Sequence, residues 1–248
     1  MVVGQQFKML IIIQARMGSS RFPGKILKNV CGIPSIIYQI KRINLITNKN
    51  IKLVVATTTR SKDDVLCNLL EENNVEYYRG SENNVLQRFL DCANTYKADY
   101  ITRINADCPL ICPKIIKNAI KIILSDETID YASTILEETF PLGMHVECFK
   151  KSILDELINL ELTQEDMEHV TPRIYKNNQK YSLFSIRKNK ISRNFRLTVD
   201  YEIDLKVINE IASSFLNYSF NCDEIIEFLE KNPQIASKNI GLMRNQKI

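Results

Sequence analysis

Met9-Leu10-Ile11-Ile12-Ile13-Gln14-Ala15-Arg16-Met17-Gly18-Ser19-Ser20-Arg21-Phe22-Pro23-Gly24-Lys25 joins a short, unbroken apolar run to a loop holding glycine, serine and three cations. A run without alternation is what a strand buried on both faces requires. Met9 to Ile13 is too short for a signal-peptide core, and no small-residue cleavage site follows it. In an open α/β sheet, ligands sit outside the carboxyl ends of the strands, where loop N–H groups can cradle phosphate. Arg16, Arg21 and Lys25 fall within ten positions in such a loop, which reads as an anion-binding loop, the alternative being a solvated surface loop. The spacing matches neither Gly-x-Gly-x-x-Gly nor Gly-x-x-x-x-Gly-Lys-Ser, so neither a dinucleotide fold nor a P-loop ATPase is indicated.

Outward from this loop, strand-like and helix-like patterns alternate as far as residue 135, the signature of βαβ units around a mostly parallel sheet. Strands are expected at 8–14, 51–57, 75–78, 100–105 and 131–134. The helices between them carry apolar residues three and four apart, as in Ile36, Ile37, Ile40 and Ile43, or Val85, Leu86, Phe89 and Ala93. Pro113 has no N–H to lose at a first helical turn, so it marks a helix start and leaves the loop 106–112 at the end of a strand. Beyond residue 135 the pattern changes. A Pro141-Leu142-Gly143 turn leads to a short strand at 144–149 and a polar helix pair between 152 and 177, divided or bent by Pro172. Residues 136–185 are expected to form a small α+β insertion on a single domain spanning 1–235. Strands at 181–187 and 195–199 and helices at 202–213 and 223–231 follow, and the polar tail 236–248 is expected to fray.

Composition narrows the classes. The 248 residues are 45% hydrophobic and 25% charged, with 33 Lys and Arg against 29 Asp and Glu, a net charge of +4. A chain of this length should bury roughly 70–75% of its unfolded surface, enough for a core without staples. Seven cysteines, odd in number and with no Cys-x-x-Cys pair, argue against a disulfide scaffold or zinc ribbon and for a reducing, cytoplasmic setting. Cys31, Cys67, Cys92 and Cys222 read as small buried apolar residues. No stretch approaches the length that spans a bilayer, so no membrane insertion is expected. The charge is too weak and the aromatics too scattered for a nucleic-acid partner. Arg187 to Arg193 reads as a solvated hairpin end.

Five further blocks accompany the opening loop: Arg79-Gly80-Ser81-Glu82 with Val85-Leu86-Gln87-Arg88-Phe89, Arg103-Ile104-Asn105-Ala106-Asp107-Cys108-Pro109-Leu110, Glu168-His169-Val170-Thr171-Pro172, and Arg196-Leu197-Thr198-Val199-Asp200. In this order the sequence resembles the cytidylyltransferases of spore-coat-polysaccharide type, relatives of the CMP-KDO and CMP-sialic acid synthetases. The resemblance implies a Rossmann-like α/β fold with a mostly parallel mixed sheet, of nucleotide-diphospho-sugar transferase (glycosyltransferase-A) type. It implies that CTP reacts with a sugar and that pyrophosphate leaves. Ala15, Arg16, Gly18, Ser19, Arg21 and Lys25 would then hold the nucleotide, with Arg16 and Lys25 on the triphosphate. Arg79, Gly80, Ser81 and Arg88 would lie beside it, although Ser81 could equally cap the helix that follows. The insertion would bind the acceptor and pair subunits in a homodimer.

Phosphoryl transfer is mostly positioning and neutralisation of charge, so it needs cations and a carboxylate-held Mg2+. Asp107 follows a strand at the sheet's ligand edge and is the first candidate ligand; Asp200 is the second, with a helix-capping role as its alternative. Arg16, Lys25 and Asp107 are the expected catalytic residues. Arg103 could hold phosphate or carboxylate bidentately. His145, Glu147, Glu168, His169 and Arg173 are the expected acceptor-binding residues, although either histidine could be purely structural. The sequence leaves the family pattern at Ala106, at Cys112 and between Leu142 and Glu147, where two acidic positions are lost, so the sugar stays open. A sugar phosphate needs no base, whereas the hydroxyl of a 2-keto sugar acid needs activation; the resemblance favours the keto acid. The rival readings are a nucleotidyltransferase that uses GTP or another nucleotide, a glycosyltransferase, and an inactive partner subunit. The chain lacks the Asp-x-Asp expected of the glycosyltransferase, and keeping Arg16, Lys25, Asp107 and Asp200 together argues against the inactive subunit.

Overall fold

The computed structural model describes residues 8–242. In chain order its elements are β1 (Met9–Gln14), β2 (Asn29–Val30), β3 (Ile33–Pro34), α1 (Ser35–Ile43), β4 (Ile51–Thr58), α2 (Asp64–Glu72), β5 (Tyr77–Gly80), α3 (Val85–Thr95), β6 (Tyr100–Asn105) and α4 (Pro113–Ser125). There follow β7 (Tyr131–Ser133), β8 (Glu147–Lys150), α5 (Lys151–Leu157), α6 (Gln164–His169), α7 (Pro172–Tyr175), β9 (Leu183–Ser185), α8 (Glu202–Ser213), α9 (Cys222–Lys231) and α10 (Pro233–Ala236).

The apolar run becomes the middle of the sheet. The strand order is β5-β4-β1-β6-β8-β7-β9, and β1 pairs in parallel with both β4 and β6. Met9 to Ile13 are wholly buried. Successive side chains of a strand point to opposite faces, so Met9, Ile11 and Ile13 pack with α1, α4, α8 and α9, while Leu10 and Ile12 pack with α3 and α5. Helices cover both faces, which is why β1 reads as continuously apolar. The sheet is mixed because β8 runs antiparallel between β6 and β7. This is the expected Rossmann-like α/β class. Among the described residues no helix is long and apolar enough to cross a membrane.

Several expectations need correction. The expected insertion 136–185 is woven into the main sheet, since it supplies the inner strand β8 and the edge strand β9. The helix pair is three short helices; Thr163 and Asp166 form a capping box on α6, and Pro172 opens α7 instead of bending a longer helix. The strand expected at 75–78 begins at Tyr77, because the Val75 N–H is spent on the Leu70 carbonyl at the end of α2. Residues 195–199 alternate like a strand but make no strand. Their N–H groups lace two loops together, Leu197 to Leu142 at 2.7 Å and Val199 to Asp107 at 2.8 Å. Gly143 (φ 103°) permits this approach, since a Cβ there would lie 2.6 Å from the Leu197 carbonyl carbon. The expected fraying does not hold for the described part of the tail: Asn239 is buried and donates to the Arg196 carbonyl at 3.1 Å and to Asp204 at 2.9 Å. Residues 243–248 lie outside the described residues. Cys31 is exposed in the β2–β3 turn, whereas the other six cysteines are buried.

Candidate active site

The loop leaving β1, the loop leaving β6 and the end of α6 line one cleft of about 440 Å3 at the carboxyl edge of the sheet, and the laced segment 195–200 abuts it through the pairing of Asp200 with Lys25 and Arg21. Asp63 fixes the first loop. Wholly buried, it accepts the Met17 N–H at 2.7 Å and the Thr58 hydroxyl, which pins the loop to the end of β4. Ala15 continues the strand, its N–H donating to the Ala56 carbonyl at 3.1 Å, and is itself buried behind the cleft. Gly24 takes a left-handed conformation (φ 67°), and the helical turn after it begins with Lys25.

Lys25 is the hub of the site. Its ammonium lies 2.8 Å from Asp107 Oδ2 and 2.9 Å from Asp200 Oδ1. Arg21 reaches the same Asp200 oxygen at 2.7 Å, and buried Arg196 holds the other at 2.9 Å. Asp204 decides between the two readings of Asp200. It is Asp204, wholly buried, that caps α8 by accepting the N–H groups of Asp200 and Tyr201 at 2.9 Å each, which leaves the Asp200 carboxylate facing the cations. Burial works against ionising Asp200, but Lys25 and Arg21 outweigh it and hold the carboxyl down at about 2. Burial likewise pulls the Lys25 ammonium down, and the two carboxylates more than reverse that and raise it.

Gly18, Ser19, Arg16 and Arg103 line the cleft with Lys25 and Asp107. Glu168 and His169 close one side, Glu168 standing 4.0 Å from Arg16. The chain reverses just beyond them in a γ-turn: Val170 (φ 70°, ψ −52°) lets the Thr171 N–H reach the His169 carbonyl at 2.8 Å. A buried β-branched residue at positive φ is strained, and the neighbouring bonds hold it there.

The remaining expected residues fall elsewhere. Glu147 is no free acceptor contact: it sits 2.5 Å from Arg103 and accepts the hydroxyls of Tyr131, at 2.7 Å, and Thr171. Together with Gln14, whose side-chain oxygen takes two N–H groups of Arg103 at 3.1 and 3.2 Å, it aims that guanidinium. Arg173 is outside the cleft, 2.5 Å from Asp166, bracing α6. His145 lines a separate hollow beside Phe195 and Ile240. Arg79 is a brace too, tied to the carbonyls of Thr58 and Arg60 and to Asp64 at 2.7 Å. Ser81 neither caps α3, a task done by Asn84, nor enters the cleft; its hydroxyl accepts the Asn84 N–H at 3.0 Å. Arg88 is wholly buried behind the cleft and donates to the Ser81 carbonyl at 2.6 Å. Burial first, and then the charge of Arg16, lower its guanidinium to about 10. Gly80 makes room for it, since a Cβ there would lie 2.8 Å from the Arg88 Cγ.

Sequence reasoning gave no role to Asp63, Arg196, Asp204 or Asn239, which hold the loop and Asp200 in place. Gln14 and Asn105, which also line the cleft, had a visible signal: each is a polar residue ending a buried strand.

The sequence model of the cytidylyltransferase family matches residues 10–241, a span that takes in every segment lining the cleft. The chain belongs to the cytidylyltransferase family. It is a nucleotidyltransferase, and its relatives agree. The structure of a cytidylyltransferase from Leptospira borgpetersenii superposes with a TM-score of 0.88 at 32% identity, covering 98% of this chain and 99% of that one. An uncharacterized protein of Methanocaldococcus jannaschii, MJ1063, is 32% identical over 97% of both chains. The spore coat polysaccharide biosynthesis protein SpsF of Bacillus subtilis is 27% identical over 92% of this cytidylyltransferase and 97% of its own length.

The donor set of the cleft suits Mg2+. Asp107 and Asp200 converge on the Lys25 ammonium, and a bound Mg2+ would take the place that this ammonium holds between them. Among the described residues no group of three or more Asp, Glu, His or Cys gathers anywhere that could hold a metal ion, so substrate oxygens and water would complete the shell.

Proposed function

We propose that this cytidylyltransferase transfers CMP from CTP to a sugar, releasing pyrophosphate, with Mg2+ held by Asp107 and Asp200. The observation that supports this most directly is the cluster of Lys25, Arg21, Asp107 and Asp200 at the carboxyl edge of β1 and β6, with Arg16 on the same cleft. When bound, the metal neutralises phosphate charge and acidifies a coordinated hydroxyl. The protein's own residues do the rest. Arg16 and Lys25 offset charge on the departing pyrophosphate, in a cleft where such charges act more strongly than in open water. Arg103, held by Gln14 through Nε and Nη2 and by Glu147 through Nη1, lines the cleft with only its remaining terminal N–H groups left for an acidic group of the acceptor. Glu168 and His169, presented by α6, border the acceptor side. A 2-keto sugar acid fits a site with this guanidinium, and the relationship to SpsF supports a role in surface polysaccharide synthesis. The dimer expected of this family is part of the proposal.

Incubating the protein with each nucleoside triphosphate, Mg2+ and a panel of keto sugar acids and sugar phosphates should release pyrophosphate with CTP and a keto acid. Release with GTP instead would reassign the base, and no release with any pair would sink the reading. Asp107→Ala should abolish turnover while the melting curve stays that of a folded protein; an unchanged rate would remove Asp107 from the metal site.

A further inference from the structure

A second hollow, of about 350 Å3, lies where the first turns of α4 and α9 meet the chain leaving β9. It shares no lining residue with the catalytic cleft, and its volume is at the low end of the ~300–1,000 Å3 typical of small-molecule sites. Its floor is apolar, formed by Ile115, Phe140 and Ile186. Its rim is cationic. Lys114, Lys117 and Lys121 stand three and four positions apart along α4 and so form one exposed row. None of the three has an ion-pair partner among the described residues. Asp223 is the one acidic side chain in the lining, and Lys188 pairs with it. Cys112, the N-cap residue of α4, lines the hollow, and with no acidic residue in its first turn that helix adds the positive end of its dipole to the field of the lysines, whereas Asp223 and Glu224 offset the dipole of α9.

Arg42, which the catalytic cleft does not use, fastens the two walls from behind. Wholly buried, it donates to the Ile111 carbonyl at 3.1 Å, just ahead of α4, and to the Tyr218 and Phe220 carbonyls at 2.7 and 2.8 Å, just ahead of α9. Its guanidinium also lies over the Phe220 ring, 3.7 Å from the centroid. The hollow is therefore built into the fold. A lysine row alone would suit any anion, and an apolar floor alone any greasy group; the two together select a molecule with both parts. We propose that this hollow binds a single small anionic amphiphile, an alkyl chain carrying one phosphate or carboxylate head, with the chain on the apolar floor and the head among the lysines.

Octyl phosphate, titrated calorimetrically below its micelle concentration with CTP in excess, should bind once per chain. Octanol, which lacks the charge, and inorganic phosphate, which lacks the chain, should each bind more weakly by about tenfold or more. The combined variant Lys114→Glu, Lys117→Glu and Lys121→Glu should weaken octyl phosphate by about tenfold or more while leaving the melting curve unchanged, because these lysines are exposed. Octyl carboxylate should behave as octyl phosphate does. Undiminished binding in the triple variant, binding of inorganic phosphate as tight as that of octyl phosphate, or displacement by CTP would each overturn the proposal. Binding to anionic phospholipid vesicles with none to the monomeric amphiphile would overturn it in favour of a membrane-docking face.

Discussion

The charge on Asp200 is the residue-scale feature with the most direct thermodynamic consequence. Its carboxyl titrates near 2 in the folded chain against an ordinary 3.8, so the stabilisation from Lys25 and Arg21 is complete above the ordinary value and is lost as pH falls through about 2. The shift corresponds to about 2 kcal/mol. Asp200→Asn should be less stable than the parent by that order at pH 6, and urea melts should show the gap closing towards pH 2. A gap that stays constant over that range would remove the charge from the account. Some residue roles were legible in the sequence and others were not. Lys25 and Asp107 stand after buried strands, where any ligand-binding α/β sheet would use them. Arg79 looks equally functional in sequence, because nothing there shows that Asp64 and two carbonyls already occupy it. Glu147 misleads in the same way: its partner, Arg103, comes from another strand.

At the scale of elements, α6 and the turn after it give the cleft one of its walls. Their position depends on the γ-turn at Val170, where a buried side chain coexists with a conformation that suits glycine. Val170→Ala loses packing and keeps the strain. Val170→Gly loses slightly more packing but relieves about 1–3 kcal/mol of strain. Val170→Gly should therefore be at least as stable as Val170→Ala in chemical denaturation, the reverse of the usual order for a buried position; a clearly less stable glycine variant would mean the turn is relaxed. Long periodic elements were readable: α8 covers the residues expected, and β1, β4 and β6 agree within a residue. The segment 195–199 was not, because alternation reports which side chains are buried and not where the N–H groups go. Here they go to Leu142 and Asp107, two loops far apart in sequence.

At the scale of the whole molecule, residues from both ends of the described chain meet at the cleft. Asn239 holds Arg196 and Asp204, which hold Asp200, which holds the Lys25 of the first loop. Asn239→Ala leaves the buried Arg196 carbonyl without its donor and should cost about 1–3 kcal/mol. It should also lower kcat/KM in the pyrophosphate assay, and a destabilised variant with full activity would separate the tail from the site. The same closure constrains how the protein is made. Met9 pairs with Ile51 on one side and Tyr100 on the other, so a chain growing on the ribosome displays its most apolar strand long before the second edge is covered. Parallel pairings of this range form slowly and leave sticky edges while they wait. The charge cluster around Lys25 cannot be completed until Asp200 and Asn239 have been synthesised, so an abandoned translation product would lack the assembled site.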